Sequence, residues 1–185
     1  MKYKRLILVV LFVVLCAAIF QVSGLKGHLN LAFIQQKIVE NQTTGLLIFV
    51  LLFVLGNLVQ IPGWVFLAAA VLALGQTYGG LVTYIAAVVS CVVTFLTIRF
   101  IGGNALREMD NKIAKKLLAR LDAKPVLSIG LLRVLFQTAP PLNYALAISG
   151  VKFRNYVIGT MLGLPLPIFL YCVFFEHVAK ALHIH

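Results

Sequence analysis

Two of the chain's hydrophobic stretches are broken near their middles by proline, and each break is flanked by amide side chains. The first reads Gly56-Asn57 and then Gln60-Ile61-Pro62-Gly63; the second carries Gln137, Pro140-Pro141 and Asn143. Proline removes a backbone N–H and glycine frees the chain, so regular helix bonding stops at both places. In water the exposed groups would simply be hydrated. In hydrocarbon each unpaired backbone group costs several kcal/mol, and a break is tolerated only where it is buried in protein or lines a wet cavity. The amides are suited to pairing with the freed groups.

Composition identifies the solvent. With 62% apolar and 11% charged residues, the chain lies far from the soluble average, and the bilayer surrounds most of it. The formal net charge of +11 would suggest nucleic acid in a soluble protein. Here the basic residues sit between apolar runs, so membrane lipids with anionic headgroups are the expected partners and nucleic acid is not. Self-association into a homo-oligomer is left open. Cys16, Cys91 and Cys172 lie in apolar runs without metal-ligand spacing and read as small apolar fillers. His183 and His185 lack further ligands nearby and read as a polar tail. No metal or cofactor is expected.

Lys2, Lys4 and Arg5 precede the apolar run Leu6 to Val22, which reads as an uncleaved first span with a cytoplasmic N-terminus rather than a signal peptide. Residues 1–44 thus comprise this span and an external linker, with a short surface helix expected over 31–39. Gly45 to Val59 is fifteen residues long; as a helix it reaches about 22 Å, short of the roughly 30 Å core. With the apolar pattern resuming from Trp64, residues 45–74 read as a re-entrant hairpin. A glycine turn over 75–80 leads into a full span, 79–98, in which Ala86, Ala87, Ser90, Thr94 and Thr97 suit close helix packing.

After Gly102-Gly103, Asn104 can cap a cytoplasmic amphipathic helix, 104–122, with the stripe Leu106, Met109, Ile113, Leu117 and Leu121. Arg107, Lys112, Lys115, Lys116 and Arg120 lie between these, facing water or anionic lipid. A second re-entrant hairpin, 125–150, and a second span, 156–175, complete a membrane domain over 45–175, and 176–185 is a short tail. Pro165 and Pro167 are placed to kink the last span. Residues 1–5, 99–124 and 152–154 carry +3, +4 and +2. Two re-entrant hairpins put all three on the cytoplasmic side, as the positive-inside rule requires.

Paired broken segments in corresponding positions are the sequence signature of inverted repeats around a midplane site. The expected fold is therefore an all-α integral membrane protein with transmembrane helices and two opposed re-entrant helical hairpins in an inverted repeat. Pro62, Gly63, Pro140 and Pro141 make the breaks. Arg133, deep in an apolar half-helix, is the leading candidate for a substrate phosphate, because a guanidinium fork pairs phosphate oxygens while staying charged; the alternative partners are backbone carbonyls freed at the Pro140-Pro141 break, or water reached by snorkelling towards the cytoplasm. Asn57, Gln60, Gln137 and Asn143 would line the same site, with Arg99 and Arg154 as secondary contacts at the cytoplasmic ends of their spans. No nucleophile with its base and no phosphate-binding glycine loop is assembled, so an enzyme is not expected.

Over roughly Gly56 to Tyr171 the chain resembles the DedA superfamily, also called the VTT-domain or SNARE-associated Golgi protein family, and in particular its Golgi-vesicle-type branch. The residues that carry this are Ile61-Pro62-Gly63 before Leu67 to Leu74, Phe95 with Arg99, Asn143-Tyr144-Ala145-Leu146, and Val151 with Arg154 and Tyr156; Gly159-Thr160 and Leu162-Gly163 also fit. Ala147 stands where the family motif has glycine, and the first hairpin lacks the acidic residues of some bacterial members. The resemblance implies a bacterial cytoplasmic-membrane protein similar to flippases of undecaprenyl phosphate or scramblases of phospholipid. A small-solute or ion transporter using the same midplane site, and a non-transporting membrane-homeostasis protein, are the alternatives.

Overall fold

The computed structural model describes residues 4–22, 42–109 and 112–181. Among these every regular element is helical. They are α1 (Lys4–Val22), α2 (Gln42–Leu58), α3 (Gly63–Gly102), a 3-10 turn (Ala105–Glu108), α4 (Lys112–Ala123), α5 (Pro125–Phe136), α6 (Pro140–Ile148), α7 (Phe153–Gly163) and α8 (Pro165–Ala181). The linker helix expected over 31–39 and the His183/His185 pair lie outside the described residues.

The first broken segment folds back on itself. The chain turns at Gln60, which has φ 72°, and Phe53 of α2 then stacks on Phe66 of α3 with ring centroids 4.7 Å apart. A second reversal falls at Gly75, where φ 77° and ψ 172° interrupt α3. In a straight helix residues 70 and 79 would be about 13 Å apart along the axis. Instead, a Cβ on Gly79 would lie 2.5 Å from the Ala70 carbonyl oxygen. Residues 63–74 and 76–102 are therefore two arms packed side by side, and the sequence-expected turn over 75–80 shrinks to one glycine. Helix bonding resumes at once because no further residue needs a non-helical conformation.

The second broken segment is arranged differently. The chain turns at Gln137, with φ 50°, but α5 packs along α7 while α6 packs along α3. Glycines allow the α5–α7 approach: a Cβ on Gly163 would lie 2.6 Å from the Gly130 carbonyl, and one on Gly159 would lie 2.7 Å from Ile129 Cβ. The arms of this segment thus rest on separate neighbours, whereas those of the first pair with each other.

Two apolar clusters follow from this arrangement. One joins Phe49 and Phe53 to Phe66, Ala70, Ala86, Leu164 and Ile168; the other joins Cys91, Phe95 and Ile98 to Ile129, Ala147, Ile148 and Tyr156. Cys91 and Cys172 are buried free thiols, as fillers should be. The expected span 156–175 is divided between α7 and α8 at Leu164, just before Pro165.

The expected helix over 104–122 is corrected in two respects. It is split, with Met109 extended between the 3-10 turn and α4. Asn104 does not cap it, because its Oδ1 accepts from Arg99 Nη1 at 2.9 Å. Among the described side chains of α4, Leu121 of the expected stripe is buried, Leu117 packs part-buried against the core, and Leu118 is buried beside them. At this end of the bundle Arg5 lies beside Gly103, Arg99 donates to the Val151 carbonyl, and Arg107 donates to Ser149 O and to both oxygens of Asp122. The three basic segments read from the sequence therefore share one end.

Gly75 has open space around its Cα, but its φ/ψ pair falls in a region essentially restricted to glycine, where other residues are strained by about 1–3 kcal/mol. Gly75→Ala is expected to lower stability by that amount with no steric clash. Thermal unfolding in detergent checks this, and an unchanged midpoint would show that the reversal does not depend on glycine.

Candidate functional site at the meeting of two helix breaks

Where a helix breaks, the carbonyls of its last turn lose their usual donors. Leu58 O, at the end of α2, accepts from the Tyr144 hydroxyl at 2.9 Å. Gln137 O, just past the end of α5, accepts from Arg133 Nη1 at 3.0 Å. Pro165, having no N–H, leaves Met161 O without its usual donor, and that carbonyl accepts from the Tyr84 hydroxyl at 3.1 Å. Tyr144 lies beyond the second break and serves the first, so the two breaks are cross-linked by side chains. They also touch directly, since a Cβ on Gly63 would collide with Thr138 Oγ1.

Between the breaks runs a buried polar chain. Arg133 Nη2 donates to the Tyr156 hydroxyl at 2.7 Å. That hydroxyl faces the Cys91 carbonyl at 3.0 Å and Asn143 Oδ1 at 3.3 Å, which share its single hydrogen. Asn143 Nδ2 donates to Asn57 Oδ1 at 3.0 Å, Asn57 Nδ2 to Ser90 Oγ at 3.0 Å, and Ser90 Oγ to the Phe53 carbonyl at 3.3 Å. Five elements, α2, α3, α5, α6 and α7, contribute to this chain.

Arg133 is its charged member and is 0% exposed. Besides the Tyr156 and Gln137 contacts, its Nε approaches Thr160 Oγ1 at 3.3 Å, and the guanidinium lies 5.3 Å from the Tyr156 ring centre. All three hydrogen-bond partners are neutral. An ionised arginine at such depth is costly, and substituting dipoles for a counter-ion offsets only part of that cost. Of the five N–H donors of a guanidinium, three are used.

Four of the sequence-selected residues meet here: Asn57, Arg133, Asn143 and the main chain of Gln137. Gln60 lies beside them, with its side chain against the Tyr144 phenol. Arg99 and Arg154 lie elsewhere. Arg99 is held at the basic end by Asn104 and Val151 and sits 4.9 Å from the Phe95 ring centre, while Arg154 is exposed in the first turn of α7. Sequence reasoning did not assign Tyr156, Thr160, Tyr144, Ser90 or Thr138 to the site. For Tyr156 and Thr160 a signal existed, because their spacing of four puts both on the face of α7 that carries Gly163. For Ser90 and Tyr144 no local pattern separates a site residue from a packing residue. Among the described residues no cluster could hold a metal ion.

The helical stretches Gly63–Gly102, counted through the reversal at Gly75, and Phe153–Val178, counted through the α7–α8 junction, have the length and apolarity to cross a membrane. Together with helix breaks sealed by buried side chains, they define the class: an all-helical integral membrane protein. The family model of the VTT domain matches residues 61–177, more than half of the chain, and the protein belongs to that DedA/SNARE-associated Golgi family. The match begins at the first break. Asn57, in α2, therefore lies outside the matched region although it bonds to Asn143 within it. No curated protein and no solved structure matches the chain.

The Asn57–Asn143 bond is expected to couple α2 to α6 by about 0.6 kcal/mol and by no more than about 1.7, the mean and maximum for side-chain hydrogen bonds measured inside a membrane protein. A double-mutant cycle with Asn57→Ala and Asn143→Ala, read by unfolding in detergent, measures it, and strict additivity would contradict it. Tyr144→Phe removes the hydroxyl that reaches the part-buried Leu58 carbonyl, with the Asn57 carbonyl also within 3.2 Å, and is expected to cost about 0.5–1.5 kcal/mol in the same unfolding measurement.

Proposed function

We propose that this protein moves an anionic lipid headgroup, of the lipid-phosphate or phospholipid kind, between membrane leaflets. The observation that carries the reading is the buried Arg133, whose hydrogen-bond partners are two hydroxyls and a carbonyl where two helix breaks meet. A phosphate would supply the missing negative charge and engage the two unused N–H donors in a charge-assisted bond stronger than any the site now makes. The contacts to Thr160 and Tyr156 would then act as a resting cage that exchanges with the headgroup. A chemical step is not part of the reading, because movement across the bilayer needs only a polar path. The breaks, interpreted as re-entrant hairpins entering from opposite faces, would form that path.

Lipid is favoured over a free solute because a cavity of about 620 Å³ between α3 and α8 is lined mostly by apolar side chains. In the proposed orientation the basic end faces the cytoplasm of a bacterial cell, with the N-terminus on the same side. Exposed Lys116 and Arg120 on α4 would attract anionic lipid there, each contributing about 1 kcal/mol. Replacing both with glutamine is expected to weaken association of the detergent-solubilised protein with anionic vesicles, and unchanged association would remove this contact.

The central test reconstitutes the protein in liposomes and follows a labelled lipid phosphate between leaflets. Wild type should exceed empty vesicles, Arg133→Lys should keep part of the rate, and Arg133→Gln should lose most of it at matched thermal stability. A glutamine variant as active as wild type would assign the charge to structure alone. Failure of the wild type to move lipid would return the reading to solute transport or a non-transporting role.

A further inference from the structure

The groove between α3 and α8 has two different faces. Its wall is apolar, with Gly80, Leu81, Pro165, Ile168, Phe169 and Cys172, and polar groups gather at Gln76 and Thr77 where α3 resumes after Gly75. Its outer rim continues into apolar surface that is exposed in the isolated protein, including Leu81 at 55% and Phe169 at 61%. In a membrane protein that surface meets hydrocarbon.

Ile168 also bounds a small, mostly apolar void of about 10 Å³, where Phe53, Leu67 and Leu164 meet Gly63, Thr83, Gln137 and Thr138, and which so reaches both helix breaks. Thr83 is 2% exposed, and its Oγ1 is buried without a hydrogen-bond partner. A hydroxyl left unpaired in this way ordinarily loses about 1–3 kcal/mol, so a native one calls for an explanation. The void is close to the smallest size that can hold a water molecule.

We propose that the α3–α8 groove seats the hydrocarbon tail of a lipid, with Thr83 as the first polar contact on the way from the groove to the Arg133 site. A single occupant accounts for three independent features: an apolar trough of ligand size, a polar end at Gln76 and Thr77, and an unpaired buried hydroxyl beneath it. A free solute would account for the hydroxyl but not for the apolar walls. The groove's volume lies within the range of ordinary ligand pockets. At rest Ile168 and Leu164 stand between the groove and the breaks, and the headgroup would pass only when α8 shifts at its Pro165 junction. The inference rests on the lipid-translocation reading and specifies how the lipid is held.

The test uses the full-length protein in liposomes containing a lipid phosphate with a photoreactive tail, in a diacyl and a polyisoprenyl form, and maps the labelled peptides. Labelling of residues 76–84 and 165–172 should exceed that around Leu96, which is as exposed, at 50%, but lies outside the groove. Thr77→Trp with Leu81→Trp, both at exposed positions, should plug the groove and lower its labelling about tenfold, equivalent to about 1.4 kcal/mol of lost binding, without changing labelling around Leu96. Equal labelling of the two regions, or groove labelling insensitive to the plug, overturns the proposal. Thr83→Val, which keeps the shape and removes the hydroxyl, should slow lipid movement while leaving tail labelling intact; unchanged movement removes the role given to Thr83. Plug-sensitive labelling in a protein that moves no lipid would uphold the groove and reject translocation, so the two readings fail separately.

Discussion

A carbonyl left without its helical donor where a helix breaks inside a hydrocarbon environment must find another, and much of this architecture follows from that requirement. Three such carbonyls, on Leu58, Gln137 and Met161, are met by Tyr144, Arg133 and Tyr84. Two of these donors come from distant segments, so the local defect in one helix becomes a tie to another. The breaks are therefore among the places where the two halves are most firmly joined. This is the arrangement in which irregular backbone is tolerated at membrane depth, because protein replaces the water that would otherwise solvate it.

The same requirement explains why a positive charge can sit in the interior. Arg133 caps a freed carbonyl, and in doing so brings a guanidinium into a space lined by Tyr156 and Thr160. Neutral acceptors stabilise it enough to stay but leave its charge uncompensated. A site of that kind favours an anion, and the proposed movement of a lipid headgroup rests on that preference. Had an aspartate lain opposite, a closed ion pair would have left little differential affinity for a passing phosphate.

Close backbone contact supplies the remaining framework. The α5–α7 seam depends on Gly159 and Gly163, and the two arms of α3 meet at Gly79. Without a water-driven hydrophobic force between helices in lipid, van der Waals contact at small residues and interhelical hydrogen bonds hold such seams together. The seams also fix where Arg133 projects, since its Cβ packs directly against the position of Gly163.

The helical membrane class, the positions of both breaks and the grouping of basic segments were legible in the chain itself. Each arises from local chemistry: apolar run length, proline at Pro62 and Pro140-Pro141, and the charges of residues 1–5, 99–124 and 152–154. Arg133 stood out for the same reason, being a lone charge in an apolar helix. Its surroundings were not legible, because Tyr156 and Thr160 lie 23 and 27 residues away and Asn57 lies 86 residues from Asn143. Nor could the chain alone reveal that the arms of the second segment separate onto α7 and α3, or that Tyr144 would serve the first break. Those outcomes depend on which surfaces come together after the helices form. By itself the sequence determined where helix bonding must fail and which solvent surrounds it, since both are properties of neighbouring residues. Only the tertiary structure decided which side chains repair each failure, because a hydrogen bond is settled by distance and direction between segments far apart in the chain.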